Sequence, residues 1–129
     1  MAYEQKQMAL TLKAGADLSA KQYYFVKLNA DNQVIVCAAA TDAPIGVLQN
    51  APDSGDNASV CVVGISKVSG DADLTAGNLI GTSADGQADA KTAGTDTTEY
   101  TVGQVIYGNS AAGGLATAAI NCASPARAA

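Results

Sequence analysis

The chain has 129 residues, enough for one domain with a modest core, and a formal net charge of −5 at pH 7. It contains no His, which removes the commonest general base and metal ligand, and its lysines (Lys6, Lys13, Lys21, Lys27, Lys67, Lys91) stand singly beside one arginine, Arg127. Nucleic-acid binding needs clustered cations, so the acidic, scattered charge argues against it. Aromatics are scarce, with five Tyr, one Phe and no Trp. A core of Val, Ile, Leu and Ala is thin, and self-association would add the buried area that a monomer lacks.

Residues 1–13 read as an extended N-terminal arm. Met8, Leu10 and Leu12 alternate with Ala9, Thr11 and Lys13, the period of a half-buried strand. Met1–Gln7 is equally compatible with a frayed terminus. Glu4 and Lys6 interrupt any signal-peptide core. The arm lies outside the repeat described next, so its apolar row calls for another partner, such as another subunit's sheet joined by β-augmentation.

Two stretches echo each other, Ala16–Gln33 and Ala72–Gln87. Each opens with Ala-Asp-Leu, a hydroxyl residue and Ala, and each closes with Ala-Asp, a turn former (Asn32, Gly86) and Gln. A Thr-Asp pair follows in both (Thr41-Asp42, Thr95-Asp96), then a Gly among aliphatics (Gly46, Gly103). Asp31-Asn32 and Asp85-Gly86 read as two-residue type I′ hairpin turns. A single copy cannot cover its own apolar face, whereas two together close a small barrel or sandwich. The expected fold is all-β, a small β-barrel built from two similar β units spanning 14–122.

Within the first copy, Gln22–Leu28 concentrates the aromatic residues. Tyr24, Val26 and Leu28 point one way, and Tyr23, Phe25 and Lys27 the other. Both faces are apolar, which assigns one to the core and the other, with Tyr23 and Phe25, to a subunit contact. Val34–Cys37 returns, Ala38–Ala43 connects, and Pro44 precedes a strand over Ile45–Gln49. Asn50–Asn57 gathers Asp53, Asp56 and Asn57 as a calcium loop does, but lacks the closing bidentate Glu and reads as a solvated turn, as do Asp71 and Asp73. Ala58–Ser69 is the longest strand, apolar on both faces and therefore central, with Gly64 permitting a bend. The second copy continues through Leu79–Ile80, Gln87–Lys91, a polar loop Thr92–Thr98, Tyr100–Tyr107, a turn Gly108–Gly114 and a last strand Leu115–Cys122. Residues 123–129 form a flexible tail, and no segment is convincingly helical. Nor is any apolar run long enough for a membrane helix.

Chemistry is missing throughout. The three cysteines, Cys37, Cys61 and Cys122, are odd in number and unpatterned, and read as buried apolar thiols in a protein made in a reducing cytoplasm. Neither an activating His nor a nucleophile-elbow pattern is present. Gly113-Gly114 lacks the Lys of a phosphate loop. Each Asp sits in a turn context, so catalysis, cofactor and metal are not expected.

The phrase Leu74-Thr75-Ala76-Gly77-Asn78-Leu79-Ile80-Gly81-Thr82 resembles the Leu-x-Ala-Gly-Asp-Leu-Val-Gly phrase of the capsid-cement, or head-decoration, proteins of tailed phages. Asp42–Gln49 is similar to that family's Ala-Pro-Ile-Gly-Val strand, and the resemblance runs from about Leu12 to Ile120; Asn78 stands where the family has Asp. The resemblance implies a β-clip or tulip-like barrel, trimeric, on the outer surface of the virion capsid. Such a protein cements the shell by bridging major capsid protein subunits. Its partners would be the major capsid protein and itself, as a homotrimer, with no nucleic acid and no membrane. Contact candidates are Met8, Leu10, Leu12, Tyr23 and Phe25. The alternative is a β-sandwich binding module, carbohydrate-binding or adhesin-like, against which the missing Trp counts.

Overall fold

The longest apolar run forms one strand of 13 residues, β5 (Asn57–Ser69), and the sheet is assembled along it. The computed structural model describes residues 5–129. Before β5 come β1 (Gln5–Lys13), β2 (Phe25–Leu28), β3 (Val34–Val36) and β4 (Gly46–Leu48). After it come β6 (Leu79–Thr82), β7 (Ala88–Ala90), β8 (Tyr100–Thr101), β9 (Gly103–Tyr107), β10 (Leu115–Asn121) and β11 (Ala126–Arg127). The main sheet runs β3-β2-β4-β5-β10-β9-β6-β7, with β1 also on β5, and β8 and β11 pair separately. All pairings between strands are antiparallel, and the sheet curls into half of a small barrel.

The register reveals the duplication residue by residue. Val26 pairs with Val36, and Ile80 with Ala90; Phe25 pairs with Val47, and Leu79 with Gln104; Leu48 pairs with Val60, and Val105 with Ala118. Isolated bridges Ala14–Val34 and Gly70–Ala88 repeat as well. So do the positive φ angles, at Tyr23 (69°) and Gly77 (93°), and at Asn32 (62°) and Gly86 (85°).

This register also places β1 inside the repeat, contrary to the expectation from sequence. Leu12 pairs with Ala58 as Val68 pairs with Ala116, and Leu10 with Val60 as Ser66 with Ala118. The second half of β5 is therefore the β1 of the second copy. Unit 1 has the order β3-β2-β4-β5-β1, and unit 2 the order β7-β6-β9-β10-β5. Residues 63–65 of β5 pair with β1 on one edge and β10 on the other, while β4 shares the β10 edge further back. Gly64, at φ 141°, lies at this handover.

Both hairpin turns differ from the two-residue type expected. In each, a three-residue loop forms: Asn32 N–H donates to Asn29 O, Gly86 N–H to Ser83 O, and only the last loop residue has positive φ. That is a type I turn followed by a left-handed residue. The glycine shared by both copies answers to close approach. A Cβ on Gly46 would lie 2.4 Å from Cys61 O, and one on Gly103 2.5 Å from Ala119 O, distances no side chain tolerates.

Packing follows from the two units. Leu18, Val26, Val34, Leu48, Ala58 and Val60 fill unit 1, with Leu10 and Leu12 laid against them. The equivalent residues Leu74, Ile80, Ala88, Val105, Ala116 and Ala118 fill unit 2, and Phe25, Cys37 and Val47 of unit 1 join that second cluster. Phe25 and Val26, on opposite faces of β2, are thus both buried by the chain itself, while Leu28 at its end stays exposed. The tail, expected to be flexible, is held: Ala128 is buried, its N–H donates to Glu99 O, and Arg127 lies 5.1 Å from the Tyr100 ring. Lys91, at the position of Cys37, is fully buried with its ammonium on Thr82 O (2.8 Å) and Glu99 (2.5 Å).

The Thr-Asp pairs are loop clamps. Asp42 accepts from Lys27 Nζ (2.9 Å) and from the N–H groups of Ala38 and Ala39, and Asp96 accepts from the Thr92 N–H. Burial works against the Asp42 charge, but Lys27 and the two N–H groups outweigh it and hold the carboxyl below its ordinary value. A carboxyl lowered by folding adds stability above the usual carboxylate range and loses it as pH falls through the folded value. Urea titrations should therefore find Asp42→Asn less stable than wild type at neutral pH, with the gap closing below about pH 4. Because β1 completes unit 1, deleting Met1–Leu12 should abolish a cooperative melt in circular dichroism. Leu12→Ala should cost about 1–2 kcal/mol. A truncated chain that melts like the full one would show that β1 is dispensable.

Candidate docking surface

Of the five contact candidates, the structure leaves one prominently at the surface. Met8 is 53% exposed, between two register irregularities in the β1–β5 ladder. Leu10 and Leu12 are half-buried on the unit 1 core, so most of the apolar row already has a partner. Phe25 is 1% exposed and offers nothing to another molecule. Tyr23 is a joint within the chain. Its positive φ is rare for a bulky residue, and it is pinned on both sides: its N–H donates to Leu48 O, and its carbonyl accepts from Ser69 N–H of the shared strand. Lys67 sits 5.6 Å from its ring centroid. The second apolar face of β2 meets unit 2, where the sequence pointed to another subunit.

The surface residues that sequence reasoning passed over lie mostly on unit 2. Leu79, Tyr107 and Leu115 are exposed large apolar side chains, as is Leu28 on unit 1. Leu79, Gln104, Ala119, Asn121, Ser124 and Ala126 line an open cleft of about 320 Å³ beside the β8–β11 pair. Aligning the two copies would have flagged it, because Leu79 stands at the position of Phe25 and Gln104 at that of Val47. A face buried in one copy carries one large apolar residue and a polar one in the other.

Groups with reactive potential are turned inward. Cys37, Cys61 and Cys122 are free and buried. Burial, with the Asp42 charge adding to it, pushes the Cys37 thiol up to about 12, and burial pushes Cys122 up as well. Among the described residues, no group of three or more His, Cys, Asp or Glu is placed to hold a metal ion. Among the described residues, no helix is long and apolar enough to cross a membrane.

Against this geometry, the crystal structure of the head fiber gp8.5 N base in bacteriophage phi29 is similar, with a TM-score of 0.63. The match covers 89% of this chain and 94% of that one, at 21% sequence identity. The two proteins share a fold. No family model matches the sequence, and no curated protein does.

The thiols provide a direct check on the packing between units. A thiol-specific chromogenic reagent at pH 8 should find no reactive cysteine in the native protein and all three after denaturation, because the reactive species is the thiolate. A native protein that reacts within minutes would mean that the packing around at least one of the three opens.

Proposed function

We propose that this chain is a structural virion protein of the outer surface of a phage head. There, as a homotrimer, it cements the shell by bridging major capsid protein subunits. The observation that carries the reading is the fold shared with a phage head-fibre base over nearly the whole of both chains. Support also comes from the phrases resembling head-decoration proteins, Leu74–Thr82 and Asp42–Gln49. The role is mechanical and involves no catalysis: contacts to neighbouring shell subunits must break together before the shell opens. An acidic surface with single, dispersed lysines suits the outside of the shell and not its DNA. Met8, exposed on β1, and the apolar side chains on unit 2 are the anchors this role would draw on.

The test uses capsids that lack decoration. Full-length protein should co-sediment with them to a saturating, symmetry-compatible stoichiometry. It should also raise the temperature at which packaged DNA becomes accessible to an intercalating dye. Leu115→Asp and Met8→Asp should each weaken binding while leaving the circular dichroism spectrum unchanged, since both side chains are exposed. Failure to sediment at micromolar concentration with capsids of the phage that encodes it would overturn the reading.

A further inference from the structure

Unit 2 covers a face of unit 1 that it leaves open on itself. In unit 1 this face comprises Phe25, Cys37, Val47 and Cys61, all buried. The tip of the β6–β7 hairpin sits on it: Gly86 O accepts from the Phe25 N–H at 2.7 Å. A Cβ on Gly86 would fall 2.5 Å from Val36 Cγ2, so the contact has no room to spare. At the matching positions unit 2 carries Leu79, Lys91, Gln104 and Ala119. Lys91 is satisfied within the chain, but Leu79 is 44% exposed, Gln104 and Ala119 are exposed, and among the described residues no turn carbonyl accepts from the Leu79 N–H as Gly86 O does from Phe25. Leu79, Gln104 and Ala119 line the cleft of about 320 Å³.

Unit 1 meanwhile presents the counterpart of the plug. Its β2–β3 turn has the same backbone path as the β6–β7 turn, with Asn32 in the left-handed conformation of Gly86, and the tip Ala30–Asn32 is exposed. Leu28, 41% exposed, stands where unit 2 has the buried Thr82. The volumes compensate across the prospective contact. The plug gains a side chain in going from Gly86 to Asn32, and the receiving residue shrinks from Val36 to Ala90, which is exposed. Likewise Leu28 replaces the smaller Thr82 on the plug, and Leu79 replaces the larger Phe25 on the receiving face.

We infer that the β2–β3 turn of one chain docks into the unit 2 cleft of a second copy of the same chain, repeating between molecules the contact that joins the units within one. The interface is heterologous, head to tail, and closes into a ring where the rotation per chain allows. It locates the self-contact that the proposed function assumes. Its test needs no capsid, so failure here and failure of capsid binding are read separately.

The experiment pairs Asp31→Cys on one chain with Ala90→Cys on another, both exposed positions, against a background of buried native thiols. Mild oxidation of the mixed single variants should give a disulfide heterodimer on non-reducing gels, and the double variant should give covalent multimers. Leu79→Asp, tested in the same background with its fold checked by circular dichroism, should lower association at least about tenfold, because a carboxylate would have to be buried in an apolar contact. Leu115→Asp, outside the cleft, should leave cross-linking intact. The inference is overturned if no heterodimer forms and the wild-type chain sediments as a monomer at millimolar concentration. Equal cross-linking of Ala90→Cys chains alone would also overturn it, since that would indicate a face-to-face dimer, as would cross-linking indifferent to Leu79→Asp.

Discussion

The backbone ladder along β5 is the interaction on which the remaining structure depends. Its first half closes unit 1 against β1 and β4, and its second half opens unit 2 against β10. Neither unit has a complete sheet without its share of this strand. Cooperativity between the units therefore comes from a covalent backbone and its hydrogen bonds, with side-chain packing added to it. Aliphatic residues suit this position, because β5 is flanked on each edge, is buried on one face from Ala58 to Val68 except at Gly64, and is half-buried over most of the other.

The units diverge where their surroundings differ. Phe25, Val47 and Cys37 face unit 2 and are apolar, while Leu79, Gln104 and Lys91 face outward or inward against a loop. Lys91 is instructive, since a buried ammonium is tolerated only when paired and hydrogen-bonded, and Glu99 and Thr82 O supply both. Glu99 in turn belongs to the segment that holds the tail through Ala128. A single substitution from thiol to ammonium at this position thus goes with a longer loop and an ordered terminus in unit 2.

Much of this was legible in the residues. The repeated Ala-Asp-Leu openings, the Thr-Asp pairs, the glycine among aliphatics and the uninterrupted run at Ala58–Ser69 all mark local structure, which short-range chemistry determines. The all-β class and the two similar units follow from them. What escaped has a common cause in long-range context. Leu10 and Leu12 share no obvious pattern with Ser66 and Val68, so β1 could be seen as a member of the repeat only through its pairing. Phe25 and Tyr23 looked available because period-2 reading says which residues share a face and not what covers it. The tail is built of Ala, Pro and Arg, and has no apolar periodicity to betray the burial of Ala128. The cleft is visible only when the two copies are laid side by side.

One property of β5 constrains how this protein can vary. No turn separates the units along it, so the in-out alternation of side chains runs in phase from Asn57 to Ser69. Insertion of a single residue near Val63 would invert that phase, turning the core side of one unit toward solvent while the other stayed correct. Length can change freely only in loops, and it has: the connection from β7 to β9 is longer than its counterpart from β3 to β4. The lineage of such a chain can lengthen at its periphery, but its spine admits substitution only, which leaves the duplicated register as a lasting record of how the molecule arose.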